Sequence, residues 1–277
     1  MRLTLGFSPC PNDTFIFDAL VNGGLDTGGL TFEPVLADVQ TLNEWAVAGK
    51  LDVSKISYGV LPEVTRTYAL LASGGALGMG VGPLLVARPG LGAFRPEAMT
   101  VAIPGRQTTA HLLFSLAFPQ ARQKRFMVFS EIEAAVAQGE VDAGVIIHEG
   151  RFTYASRGLA RLMDLGEHWE QVTRAPIPLG GIVARRTLPP GVAGQVERLI
   201  RESLLAARRA EPAVPDYVRR HAQELDEQVM RQHIALYVND FSLDLGEAGR
   251  RAVETLLEVH ARLHPELGGT PPQDVFP

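Results

Sequence analysis

Apolar positions along this chain switch repeatedly between a spacing of two and a spacing of three to four, which predicts alternating strands and helices. Residues 2–7 read as a strand, followed by a proline-rich turn at Ser8-Pro-Cys-Pro-Asn12. Asn12 or Asp13 is placed to cap a helix starting near Thr14, where Phe15, Ile16, Ala19 and Leu20 fall at helical spacing. A second strand is expected at 30–35. A helix at 39–49 carries Leu42, Trp45 and Ala46 on one face and stops at Gly49, and a third strand runs from 51 to 57. Strands and helices in this order, with short connections, predict a parallel sheet covered by helices.

Five glycines punctuate residues 73–82, and a strand follows at 83–88. Two prolines and two glycines between 89 and 96 mark the first expected boundary. The alternation then resumes, with strands at 100–103, 127–129 and 143–147 and helices at 108–116 and 132–138. Ala175-Pro-Ile-Pro178 marks a second linker before a strand at 179–184. Residues 192–263 are mainly helical, and the Gly/Pro-rich tail beyond Pro265 is expected to pack poorly.

Two stretches of the chain echo each other. Val47-Ala-Gly-Lys-Leu-Asp52-Val and Ala137-Gln-Gly-Glu-Val-Asp142-Ala both run from a helix end through glycine to an aspartate and a strand. Pro83-Leu-Leu-Val-Ala-Arg88 and Leu179-Gly-Gly-Ile-Val-Ala-Arg185 both end in Val-Ala-Arg. Together they predict two similar lobes: a larger one of residues 1–94 plus 176–277, and a smaller one of 95–175 inserted into it.

Composition narrows the function classes. The 277 residues suit two ordinary domains, and 46% hydrophobic with 21% charged residues is a soluble globular balance. A net charge of −5 with no basic block excludes a nucleic-acid partner. The one cysteine, Cys10, rules out a disulfide framework and a multi-cysteine metal site. No run of about 18 apolar residues is present, so no membrane span is expected. The broken N-terminal apolar run does not resemble a signal peptide, and a cytoplasmic location follows as the expectation. Neither a Walker spacing nor a GxGxxG run occurs. No cofactor and no metal is expected, and a homodimer is left open.

Ligands of open parallel sheets bind beyond the carboxyl ends of the strands. That rule selects four segments: Ser8 to Thr14, Ser54 to Tyr58, Gly105 to Ala110, and His148-Glu149. Thr108 and Thr109 stand at a helix N-terminus, where free N–H groups favour an anion such as a carboxylate, or where a threonine simply caps the helix. Lys55 lies within an apolar run and faces either solvent or a cleft; Ser57 shares its side of the strand. His148 ends the run Val145-Ile-Ile147 and is either a proton acceptor or a satisfied core histidine. His260 and His264, spaced i, i+4, read as structural. His111, His168, His221 and His233 form no constellation. Cys10 reads as a small buried hydrophobe, with a nucleophile as the alternative.

Several of these segments carry a resemblance. Ser8-Pro-Cys-Pro-Asn-Asp-Thr-Phe-Ile-Phe17, Lys55-Ile-Ser-Tyr58, Gly74-Gly-Ala-Leu-Gly78, Pro104-Gly-Arg-Gln-Thr-Thr-Ala110 and Ile146-Ile-His-Glu149 resemble the 1,4-dihydroxy-6-naphthoate synthases of the futalosine route to menaquinone. Arg151-Phe-Thr-Tyr154, Pro178-Leu-Gly180 and Tyr237-Val-Asn239 extend the likeness to about residue 250. The resemblance implies an α/β, two-lobed fold like that of type II periplasmic binding proteins, with a ligand cleft at the hinge. It implies a carbon–carbon lyase that converts cyclic dehypoxanthinyl futalosine to 1,4-dihydroxy-6-naphthoate. It also implies His148 as the general base, and substrate contacts from Lys55, Ile56, Ser57, Thr109 and Ala110, with Thr108 beside them. Gln107 stands at a position that varies in the family and is given no role. The expected partner is a small-molecule carboxylate substrate. Three other readings stay open: chorismate dehydratase of the same pathway, a non-catalytic solute-binding protein, and a hydrolase using Cys10 and His148.

Overall fold

The computed structural model describes residues 1–210, 213–222, 226–267 and 274–277. Eleven strands are found among them: β1 Arg2–Phe7, β2 Thr31–Leu36, β3 Val53–Ser57, β4 Tyr68–Leu70, β5 Ala76–Gly78, β6 Leu84–Ala87, β7 Val101–Ile103, β8 Lys124–Phe126, β9 Ala143–Ile146, β10 Ala160–Asp164 and β11 Ile177–Arg185. Twelve helices accompany them: α1 Pro11–Val21, α2 Val39–Val47, α3 Leu61–Val64, α4 Thr109–Ala117, α5 Ile132–Gln138, α6 Gly150–Thr153, α7 Leu165–Thr173, α8 Val192–Arg209, α9 Asp216–His221, α10 Glu227–Tyr237, α11 Asp240–Leu243 and α12 Gly246–Leu263. No helix among the described residues is long and apolar enough to cross a membrane.

The strands form two sheets. The first has the order β2-β1-β3-β11-β4, with β5 also on β11, and the second has the order β10-β6-β9-β7-β8. The parallel arrangement predicted from strand–helix alternation holds for β2-β1-β3 and for β8-β7-β9. Each sheet then turns mixed, because β11 runs antiparallel to β3 and β6 runs antiparallel to β9.

The two sequence echoes become one structural symmetry. Asp52 precedes β3 and accepts from the backbone N–H of Thr4 on β1, at 2.9 Å. Asp142 precedes β9 and accepts from the backbone N–H of Thr100, just before β7, at 2.8 Å. In the antiparallel ladders Ala184 pairs with Val53 and Ala87 with Ala143, the residues after those two aspartates. Arg185 and Arg88 then reach back to the glycine turn that feeds the strand: Arg185 Nε to the Leu51 carbonyl, Arg88 to the Val136 and Val141 carbonyls. Strand β6 is therefore the second sheet's counterpart of β11. The chain changes sheets between Gly78 and Leu84, not at the 89–96 stretch, which is a turn beside the second sheet. It returns between β10 and β11, near the expected second linker.

Other expectations shift for identifiable reasons. Helix α1 begins at Pro11, three residues early, with Cys10 in the N-cap position and no side-chain cap. Proline fits the first helical turn because its missing N–H has no helical partner there. The strand placed at 127–129 lies instead at β8, and Phe129–Glu131 is a 3-10 turn. The tail does not hang free where it is described: Val275 is buried and its carbonyl accepts from Leu70 N at 2.7 Å, while Arg250 stacks on Phe276. The rest of that tail, 268–273, lies outside the described residues.

Helices cover the first sheet on both faces. One apolar cluster joins Leu3, Leu5 and Phe17 to Leu199, Leu204 and Met230, beneath α1, α8, α9 and α10. Another runs from Ile56 and Val183 through Val253, Leu256 and Leu257 of α12 to Leu113, Phe114, Val101 and Val145 of the second lobe. The lobes thus share a core while leaving a cleft beside it.

Candidate functional site

Strand β3 sits between β1 and β11, and all five of its residues are buried. A strand buried on both faces ordinarily reads as continuous apolar residues. Val-Ser-Lys-Ile-Ser does not, so its polar side chains require partners inside the protein. Lys55, 5% exposed, pairs with Asp13, 1% exposed, at 2.8 Å, and donates to the Gly74 carbonyl at 3.3 Å. Ser57 sits two residues on, so its side chain lies on the same face; its N–H donates to Asn43 Oδ1 at 2.8 Å and its Oγ accepts from Asn43 Nδ2 at 3.0 Å. Ile56, on the opposite face, packs in the shared core and does not line the cleft.

The carboxyl ends of β1, β3, β7 and β9 open into one cleft between the sheets, enclosing about 660 Å³ of atom-free space, part of it open to solvent. Ser8, Asn12 and Asp13 line it from the start of α1, Lys55 and Ser57 from β3, and Thr108, Thr109 and Ala110 from the start of α4. His148 enters from the end of β9, and His233 and Tyr237 from α10. Asp13 is held from several sides: Ser8 Oγ donates to Oδ2 at 2.8 Å, and Asn12 Nδ2 donates to Oδ1 at 2.8 Å beside Lys55.

Thr108 is the N-cap of α4, its Oγ1 accepting from His111 N at 3.2 Å. Thr109 instead bridges the lobes. Its hydroxyl accepts from Gly59 N at 3.0 Å and donates to the Leu179 carbonyl at 2.8 Å. The first-turn N–H groups of α4, which lack helical partners by geometry, stand at the cleft. Helices α1 and α4 thus bring two N-termini to it from the two sheets.

His148 follows β9 with φ 55, in the left-handed region that non-glycine residues seldom occupy. Its Nε2 is shielded from solvent and has no hydrogen-bond partner. Burial pushes the imidazole down to about 4, more strongly than the nearby Asp13 carboxylate raises it. Above that pH the ring is neutral and retains a lone pair, which is the state a proton acceptor needs. Cys10 Sγ, a ring nitrogen of His148 and a Glu149 oxygen lie within 4.8 Å of one another, close enough to share an ion. Burial and the Glu149 carboxylate push the Cys10 thiol up, which keeps it protonated and makes it a poor nucleophile and a poor ligand.

Of the site residues that the resemblance implies, Lys55, Ser57, Thr108, Thr109, Ala110 and His148 line the cleft and Ile56 does not; Cys10 and Glu149 lie behind its lining. Sequence reasoning missed His233, and it left Asp13 out of the site. A lysine inside an apolar strand was the available signal for an acidic partner. His260 on α12 and His264 just beyond it hold their rings tilted against each other with centroids 4.5 Å apart, away from the cleft.

A family model described as menaquinone biosynthesis matches residues 3–262. The chain is 50% identical over 261 residues to a 1,4-dihydroxy-6-naphthoate synthase of Thermus thermophilus, covering 94% of each chain. It is 46% identical over 273 residues to a synthase of the same name from Streptomyces coelicolor, covering 96% of each. Among solved structures, a protein of Archaeoglobus fulgidus aligns with TM-score 0.88 and 32% identity over 96% of this chain and 98% of that one. The periplasmic aliphatic sulphonate binding protein of Escherichia coli aligns with TM-score 0.65 and 13% identity over 99% of this chain and 90% of that one, a likeness of fold. With its two mixed sheets, its interlobe cleft and a match over nearly its whole length, the chain belongs to the menaquinone-biosynthesis family built on a periplasmic-binding-protein-like fold.

Proposed function

We propose that this protein is a carbon–carbon lyase that converts cyclic dehypoxanthinyl futalosine to 1,4-dihydroxy-6-naphthoate, with His148 as the general base. The observation that carries the reading is the shielded, unpartnered Nε2 of His148, in a chain whose full-length relatives bear the synthase name. The aromatic carboxylate of the substrate lies at the N-terminus of α4, where the dipole and the first-turn N–H groups favour an anion. Ser57 accepts a hydrogen bond from Asn43, so its own O–H is left to donate to a substrate oxygen. His148 takes a proton from the substrate, the electron pair so freed drives cleavage of the carbon–carbon bond, the sugar-derived fragment departs, and the remaining ring system aromatises to the naphthoate. The biosynthetic role favours a cytoplasmic location.

Purified protein incubated with cyclic dehypoxanthinyl futalosine should release 1,4-dihydroxy-6-naphthoate, read by mass. His148→Ala should lose about 10²–10⁴-fold in kcat while still binding substrate, the usual contribution of a general base. Near-wild-type turnover in that variant would remove His148 from the mechanism. Turnover of chorismate in place of the futalosine derivative would replace the reaction itself.

A further inference from the structure

Helix α10 buries Met230, His233, Ile234 and Tyr237, a stripe at helical spacing. An apolar side chain would serve a plain core at 233. The imidazole there is 0% exposed, and neither ring nitrogen has a hydrogen-bond partner. Its ring neighbours are Tyr237, His148 and Phe152, with centroids 4.6, 6.2 and 6.5 Å away. Native interiors rarely leave buried polar atoms unpaired, and here two fall on one residue that lines the cleft.

The same cleft holds two more such atoms. His148 Nε2 is one, and Asn12 Oδ1 is the other. The orientation of the Asn12 amide is fixed, because Nδ2 donates to the Asp13 carboxylate at 2.8 Å. Oδ1 is therefore an acceptor that lacks a donor. Three unsatisfied groups thus reach one cleft from α1, from the end of β9 and from α10.

We propose that His233 is a second substrate-contacting imidazole, which with Asn12 binds the hydroxylated end of the ligand. This rests on the reaction assigned above and adds the direction in which the substrate lies. A carboxylate offers only acceptors, would leave Asn12 Oδ1 unpaired and would face the Asp13 charge. A hydroxyl both donates and accepts, and suits Asn12 Oδ1 and a neutral imidazole together. Burial holds His233 well below its ordinary value, which keeps it neutral. The acidic end of the ligand then lies at α4, and the oxygenated ring points toward α10.

The test compares His233→Leu and His233→Gln with wild type. The probes are 1,4-dihydroxy-6-naphthoate and 2-naphthoate, which share the skeleton and carboxylate but differ in the hydroxyls. Wild type should bind the dihydroxy compound about 10-fold or more tightly than 2-naphthoate, the scale of one or two buried hydrogen bonds. His233→Leu should lose that preference while still binding 2-naphthoate, and His233→Gln should recover part of it. Without ligand, His233→Leu should melt at or above wild type, since it removes two unpaired polar atoms. A lower melting temperature, or a hydroxyl preference that survives in His233→Leu, would overturn the proposal. If wild type neither turns over the futalosine derivative nor binds either naphthoate, the proposed reaction fails. The ligand-free melting comparison then still decides whether His233 is a core residue.

Discussion

Asp13 gathers hydrogen bonds from the backbone and hydroxyl of Ser8, from the Asn12 amide and from Lys55, all within 3.2 Å. In a helix's first turn an aspartate reads as a dipole or capping residue. Its role as counter-ion to Lys55, 42 residues away, exists only once β1 and β3 lie side by side. Asp13→Asn would leave the Lys55 ammonium buried without its counter-charge, with only neutral carbonyl oxygens to accept from it. Breaking one side of a buried pair costs about 3–5 kcal/mol, so urea unfolding of that variant should show a loss of this size. A loss under about 1 kcal/mol would mean that Lys55 finds another partner or water. His233 escaped notice for a different reason. A histidine in a helical apolar stripe looks like core from its spacing, and its unpaired nitrogens appear only when α10 is set against the cleft.

Among the elements, β3 shows how one local rule separates from another. Strand periodicity correctly put Lys55 and Ser57 on a common face. It did not reveal that the strand is central, because centrality depends on β11 returning from more than a hundred residues away. Strands β4, β5 and β10 were not read from the sequence: β4 is three residues long, β5 lies within the glycine-rich 73–82 stretch, and Arg161 interrupts the apolar residues of β10. In β8, Lys124 and Arg125 break the apolar signal that neighbouring 127–129 supplies. The contact between the 3-10 turn Tyr58–Val60 and α4 is a tight joint near the site. A Cβ on Gly59 would sit 2.8 Å from the Thr108 carbonyl carbon and oxygen, both backbone atoms that cannot swing away. Gly59→Ala should therefore displace the start of α4, at a cost of about 1–3 kcal/mol for overpacking. Kinetics should show KM for the substrate raised along with the lower melting temperature. An unchanged KM would dissociate this joint from substrate binding.

At the scale of the molecule, burial of histidines ties stability to pH. His111, His148 and His260 are each pushed by burial down to about 4, and His233 lies well below its ordinary value. In the unfolded chain they titrate near 6.5. Between about pH 4 and 6.5 the unfolded state binds more protons than the folded one, so stability rises with pH across that window and falls on acidification. A fully buried histidine such as His233, which stays neutral while its unfolded counterpart is charged, contributes a slope of about 1.4 kcal/mol per pH unit. Denaturant midpoints at pH 7.0, 5.5 and 4.5 should fall in that order. A flat profile would mean that these rings protonate in place.

Local or repeated features were legible from the chain before any fold was known: the alternation of strands and helices, the two similar lobes, and the polar groups at strand ends. These rest on side-chain period, turn chemistry and short motifs, all of which act over a few residues. The motif-bearing segments, from Ser8 to His148, were legible for the same reason. Everything else waited on three-dimensional packing. Packing made β6 a strand of the second sheet, because its partner β9 begins 56 residues beyond its last residue. It set Asp13 against Lys55, turned Ile56 into the core, and brought His233 beside His148. Each of those outcomes depends on which distant surfaces meet, and hydrophobic burial selects the meeting without any local trace in the chain.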